Sequence, residues 1–170
     1  MSTTTAKLYS LKLTEIRTYL FTGLFIIGNL LLPQLAHLIP QGGLIFLPIY
    51  FFTLIAAYKY GIHVGLLTAI LSPILNSFIF GMPLPVMLPA ILTKSVLLAI
   101  AASLAAKHFG KVSFGIILLV ILTYQLLGTA AEWIYTQNFT AAIQDIRIGF
   151  PGMLLQLIGG FLILKKMEKA

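Results

Sequence analysis

Apolar residues run through this chain in blocks long enough to cross a hydrocarbon layer, and polar residues gather in the gaps between them. A helix needs about 20 apolar residues to cross, within a range of roughly 17–25. On that measure six spans are expected, over residues 16–36, 44–58, 61–80, 85–106, 112–135 and 148–164. The second is short, and the Gly-Gly turn before it is expected to extend it. The breaks carry turn chemistry: Pro40-Gln41-Gly42-Gly43, Lys59-Tyr60-Gly61, Gly81-Met82-Pro83 and Gly110-Lys111. Every connection is short except residues 136–147. Residues 8–17 are read either as a short interfacial helix or as a frayed end. The first span is read as retained. Its apolar run exceeds that of a typical signal peptide, and Gln34-Leu35-Ala36-His37 is a poor cleavage site.

Composition fixes the class. The 170 residues are 59% hydrophobic and only 9% charged, whereas a soluble domain carries about 25% charged residues. Packing in water cannot hide that much apolar surface. The expected fold is therefore all-α, a polytopic membrane bundle of six transmembrane helices. No polar linker divides it, so residues 1–170 are read as one domain. A net charge of +7 would suit nucleic acid, but the positions of the charges argue for a lipid bilayer as partner instead. Lys7, Lys12 and Arg17 precede the first span, Lys59 follows the second, Lys107 and Lys111 follow the fourth, and Lys165, Lys166 and Lys169 follow the sixth. The alternate loops hold Arg147, close to Asp145. Cytoplasmic loops are enriched in Lys and Arg, so both termini are expected in the cytoplasm.

With that orientation, polar residues inside the spans concentrate in the outer half. Lys94 is the sharpest of them, nine residues below Pro85, or about 13 Å at 1.5 Å per residue. An ionisable group at such depth costs roughly 2.5–3.5 kcal/mol on insertion scales, so it normally faces protein, water or a ligand. Glu132 lies near the outer end of the fifth span. Gln125, Gly128, Thr129 and Glu132 share one helical face. Asn29, Asn76 and Gln156 complete the candidate substrate-binding set. Lys94 is read as meeting an anionic ligand group, or as pairing with Glu132; the amides are read as ligand contacts or as bonds between helices. Tyr124, Trp133, Tyr135 and Phe150 are candidate aromatic walls, with Trp133 and Tyr135 better suited to a membrane-interface belt.

Several chemistries have no residues to carry them. Cysteine is absent, which excludes disulfides and thiolate chemistry. There is no phosphate-cradling Gly-Lys-Ser/Thr loop, no HExxH and no Gly-x-Ser-x-Gly. His37, His63 and His108 are too far apart in the expected topology for a metal site. No catalytic residue, cofactor or metal is expected, and no ATP hydrolysis by this chain alone. Asn138-Phe139-Thr140 matches a glycosylation acceptor, a pattern common by chance.

Three stretches carry a resemblance: Gly42-Gly43-Leu44-Ile45-Phe46-Leu47-Pro48-Ile49, Tyr60-Gly61-Ile62-His63-Val64-Gly65, and Gly81-Met82-Pro83-Leu84-Pro85-Val86-Met87-Leu88-Pro89-Ala90. With the length, six spans and topology, they make the chain resemble a substrate-binding S-component of an energy-coupling factor transporter. The resemblance implies a bacterial cell-membrane protein that captures a vitamin-class nutrient from outside. It also implies two kinds of partner, a transmembrane coupling subunit and two cytoplasmic ATPase subunits. The first outer loop would gate the site, here His37, Pro40, Gln41, Gly42 and Gly43. One departure stands out. Many members carry Ala-x-x-x-Ala on the first helix for docking, and this chain has Thr18-Tyr19-Leu20-Phe21-Thr22 there. The competing classes are a structural or assembly subunit without its own ligand and, less well supported, a lipid-acting membrane enzyme.

Overall fold

Uninterrupted apolar sequence between turn residues produces helix after helix, and in the computed structural model no strand occurs among the described residues, 10–168. Lys7, Leu8, Tyr9 and Lys169 lie outside them. The helices are α1 (Ile16–Ala36), α2 (Gly42–Phe46), α3 (Phe51–Tyr60), α4 (Ile62–Phe80), α5 (Leu88–Phe109), α6 (Phe114–Thr136), α7 (Phe139–Ala142), α8 (Gln144–Arg147) and α9 (Phe150–Glu168). Short 3-10 turns at Pro48–Tyr50 and Pro85–Met87 lead into α3 and α5. Five segments are long and apolar enough to cross a membrane: Ile16–Ala36, Ile62–Phe80, Pro85–Phe109, Phe114–Thr136 and Phe150–Glu168. This is the make-up of a multi-pass membrane protein.

The second expected span is not one helix. It is divided into α2, a 3-10 turn and α3, with Leu47 at the break in a left-handed conformation (φ 45°). A leucine there is strained, because its Cβ crowds the following carbonyl. Pro48 after it cannot donate a helical hydrogen bond, so α2 ends at this point. Below the break, α3 is buried on every side. Leu54, Ile55, Ala56, Ala57 and Tyr58 are all at most 1% exposed. Its neighbours approach through small residues: a Cβ on Gly65 of α4 would lie 2.5 Å from the Ala57 Cβ, and one on Gly160 of α9 would lie 2.9 Å from Leu54. Close backbone approach of this kind is how helices gain packing energy where lipid removes the hydrophobic driving force between them.

The outward faces are apolar, as along Leu20, Leu24, Ile27, Leu31 and Leu35 of α1, while Thr22, Asn29, Thr53, Thr68, Ser72, Asn76 and Gln156 are buried. Of the two readings of residues 8–17, the interfacial helix does not form over the described residues 10–15, and neither is that stretch frayed. That stretch docks instead: the Leu11 amide donates to Tyr60 O, His63 Nδ1 meets Leu11 O at 2.8 Å, and Glu15 accepts from the Lys12 amide. At the same end Lys59 Nζ donates to Met167 O, Tyr58 Oη donates to Lys111 O, and the Val112 amide donates to Glu168. Lys12, Arg17, Lys59, Lys107, Lys111, Lys165 and Lys166 therefore gather at one end of the bundle. The opposite end is built from the C-termini of α1, α4 and α6, the 3-10 turn before α5, and α2, α7 and α8.

Candidate functional site

At that opposite end, Lys94 reaches out from the second turn of α5. Its stem crosses α6 where Gly128 leaves room, since a Cβ there would come 2.5 Å from Lys94 Cγ. Its ammonium ends 2.6 Å from Glu132 Oε2 of α6 and 2.7 Å from Asp145 Oδ2 of α8. Lys94 is 2% exposed, and the two carboxylates are 15% and 16% exposed. Only the contact to Asp145 has hydrogen-bond alignment. Glu132 Oε2 is held by charge, with no aligned donor. The cluster thus ties three elements together and holds one positive charge against two negative ones.

The cluster lines a cavity of about 230 Å³, walled also by Leu44, Tyr50, Met87 and Tyr135. A second cavity of about 460 Å³ adjoins it, and the two share Gly43, Leu44, Ile49, Met87 and Ile91 as walls. The larger one is apolar apart from His37, Gln41 and Asn76. Its size falls in the range of about 300–1,000 Å³ typical of small-molecule sites. Both cavities are lined by the broken second segment, through Gly43, Leu44 and Ile49. Discontinuous helices are where membrane solute sites commonly form, because unwound backbone is tolerated only facing a cavity or protein.

The sequence-derived residues divide. Lys94 and Glu132 meet as expected of a pair, and both line the charged cavity. His37, Pro40, Gln41 and Gly43 line the apolar one, while Gly42 is packed beneath them against the Ala36 carbonyl. Asn76 lines the apolar cavity too. Its Nδ2 donates to Asn29 O at 2.8 Å and Ser72 O at 3.2 Å. Two carbonyl acceptors fix the amide's orientation, and Oδ1 has no partner. Asn29 lies away from both cavities. Its Nδ2 donates to Thr53 Oγ1 and Ser72 Oγ, and its Oδ1 accepts from the Phe52 amide, so it joins α1, α3 and α4. Gln125 and Gln156 flank Tyr124: the Tyr124 hydroxyl donates to Gln156 Oε1 at 2.8 Å and accepts from Gln125 Nε2 at 3.2 Å. Neither glutamine is among the cavity-lining residues.

Of the candidate aromatic walls, Tyr135 lines the charged cavity, Tyr124 is fully buried, and Trp133 and Phe150 are half exposed. Asn138 caps α7, its Oδ1 accepting from the Ala141 amide. Two site residues escaped the sequence reading. Asp145 is expected in a connection beside Arg147, but on α8 the two are two residues apart and do not face each other, and Asp145 meets Lys94 instead. Tyr50 carried no signal beyond its aromatic type. Comparison with family models, with curated proteins and with solved structures gives no match.

Proposed function

We propose that the chain is the solute-binding subunit of a micronutrient uptake transporter in a bacterial cell membrane. Six segments cross the membrane in this reading, the broken α2–α3 segment being the sixth, and both termini are cytoplasmic. The solute enters from outside and is moved with the help of a transmembrane coupling subunit and two ATPases. The observation that carries the reading is the pair of adjoining cavities, one apolar and one holding the Lys94–Glu132–Asp145 cluster. They lie at the end opposite Lys12, Arg17, Lys59, Lys107, Lys111, Lys165 and Lys166, and the enrichment of Lys and Arg in cytoplasmic loops supports reading that end as the outer one. The broken helix and the loop 37–43 around the apolar cavity agree with capture of a solute from that side.

The test is the mass spectrum of small molecules released from the purified, tagged chain, together with the proteins captured with it. A non-lipid solute in near-stoichiometric amount and a co-captured ATPase pair are the expected results. A second reading is favoured by one observation: both carboxylates already engage Lys94. On that reading the chain is an assembly subunit and the cluster only holds helices together. A preparation that binds no solute under any condition, but loses its fold when the cluster is neutralised, would establish the second reading over the first.

A further inference from the structure

The charged cavity has an unbalanced count. Lys94 is the one basic residue among its lining residues, and Glu132 and Asp145 both face it. Arg147, the nearest other cation in sequence, is exposed and lines a neighbouring surface hollow that shares Ala141 and Gln144 with this cavity, but it is not among the residues that line the cavity itself. The site therefore carries one negative charge in excess, walled by apolar side chains where charges are weakly screened. The missing complement is a positive charge. Lys94 is poorly placed to take an anion, because any incoming carboxylate or phosphate would meet Glu132 and Asp145 within reach of the same ammonium.

Hydrogen-bonding capacity points the same way. Glu132 Oε2, shielded from solvent, meets Lys94 Nζ at 2.6 Å and has no other donor among the described residues. Tyr50 lines this cavity and is 1% exposed, and no hydrogen bond joins its hydroxyl to any described residue. Its ring, with that of Tyr135, offers the π surface that attracts organic cations. In the adjoining cavity, Asn76 is a lining residue whose Oδ1 has no partner among the described residues but is itself shielded from solvent.

Resting on the solute-binding reading above, we infer that the solute is an organic cation. A protonated amine, amidine or alkylated nitrogen ring sits against Glu132 and Asp145, and an apolar body fills the larger cavity. Lys94 lies between the two carboxylates, and with a bound cation the formal charges of the site sum to zero.

The test uses the full chain in nanodiscs of phosphatidylcholine, a lipid without net charge, so that cations do not collect on the bilayer. A small-molecule extract of bacterial cells is split by ion exchange at pH 7 into cationic, neutral and anionic fractions. Each is added to the protein, thermal unfolding is followed, and retained molecules are identified by mass spectrometry. The cationic fraction is expected to raise the melting temperature by several degrees, and the retained molecule to carry net positive charge. Glu132→Gln should weaken its binding roughly ten- to a hundredfold, the range for one hydrogen bond to a charged group. Asp145→Asn, on the α8 side of the cluster, serves if Glu132→Gln does not fold, and the charge of the molecule retained by the unmodified chain needs neither variant. Retention of an anionic or neutral molecule instead overturns the inference and leaves the solute-binding reading standing. A cation bound equally well by both variants overturns its assignment to these carboxylates. Retention of nothing from any fraction overturns the solute-binding reading and this inference with it.

Discussion

The stem of Lys94 lies across the bare backbone of Gly128, and that crossing sets the position of the one ammonium that the described residues bring to the charged cavity. A methyl group at 128 would fall 2.5 Å from Lys94 Cγ. Gly128→Ala should therefore push the stem aside and loosen both ion pairs, destabilising the protein by about 1–3 kcal/mol as overpacking typically does. Gly115, on the same helix, has nothing within 4 Å of its would-be Cβ. Gly115→Ala should be neutral or stabilising by up to about 1 kcal/mol, from helix propensity alone. Thermal unfolding of the two variants side by side checks the pair. Equal behaviour would mean that Gly128 does not hold the stem's path.

Lys94→Met should strand two carboxylates. Breaking a buried ion pair by removing one partner costs roughly 3–5 kcal/mol, and the cost here should sit near the lower end because both acids are partly exposed. Adding Glu132→Gln relieves one carboxylate and should restore about half of the loss. Adding Asp145→Asn as well should restore most of it. Denaturation of the single, double and triple variants gives the ladder. Full rescue by the double variant would show that Asp145 is not a partner of Lys94 in the membrane.

That ladder also marks where the sequence was legible. Hydropathy placed the long helices closely, with α1 at its expected bounds and α9 displaced from residues 148–164 to Phe150–Glu168. The cost of a buried charge singled out Lys94, and helical periodicity put Gly128 and Glu132 on one face. What remained hidden depends on neighbours distant in sequence. Asp145 sits in a polar connection, where an acid is ordinary. Asn29, Gln125 and Gln156 resemble cavity amides until the hydroxyls and carbonyls opposite them are known. The break at Leu47 has no glycine to announce it, and only Pro48 and the shortness of the span hinted that 44–58 would not run as one helix.

Asn29 acts as a joint between helices, and its loss should appear in stability rather than in binding. Asn29→Ala removes the donors to Thr53 and Ser72 and strands the Phe52 amide. An unsatisfied buried group costs about 1–3 kcal/mol, so a loss of about 2–3 kcal/mol is expected. Whatever solute the wild-type chain retains should be retained with affinity unchanged within a few fold by the folded variant. A stable Asn29→Ala protein that has lost its solute would place this amide in the site.

Orientation decides which side the cavities serve, and the absence of cysteine makes it directly measurable. Ser10 and Gln137 are both exposed, and they lie at opposite ends of the bundle, Ser10 beside the basic end and Gln137 just past α6. Each can be changed to cysteine with no background thiol. Gln137 occupies a left-handed turn (φ 53°), so a cysteine there adds no strain that glutamine does not already bear. If the basic end is cytoplasmic, a membrane-impermeant thiol reagent should label Gln137→Cys in intact cells and reach Ser10→Cys only after permeabilisation. The reverse pattern would turn the cavities toward the cytoplasm. Capture of an external solute would then be ruled out, because the apolar cavity and the Lys94 cluster share that one end of the bundle.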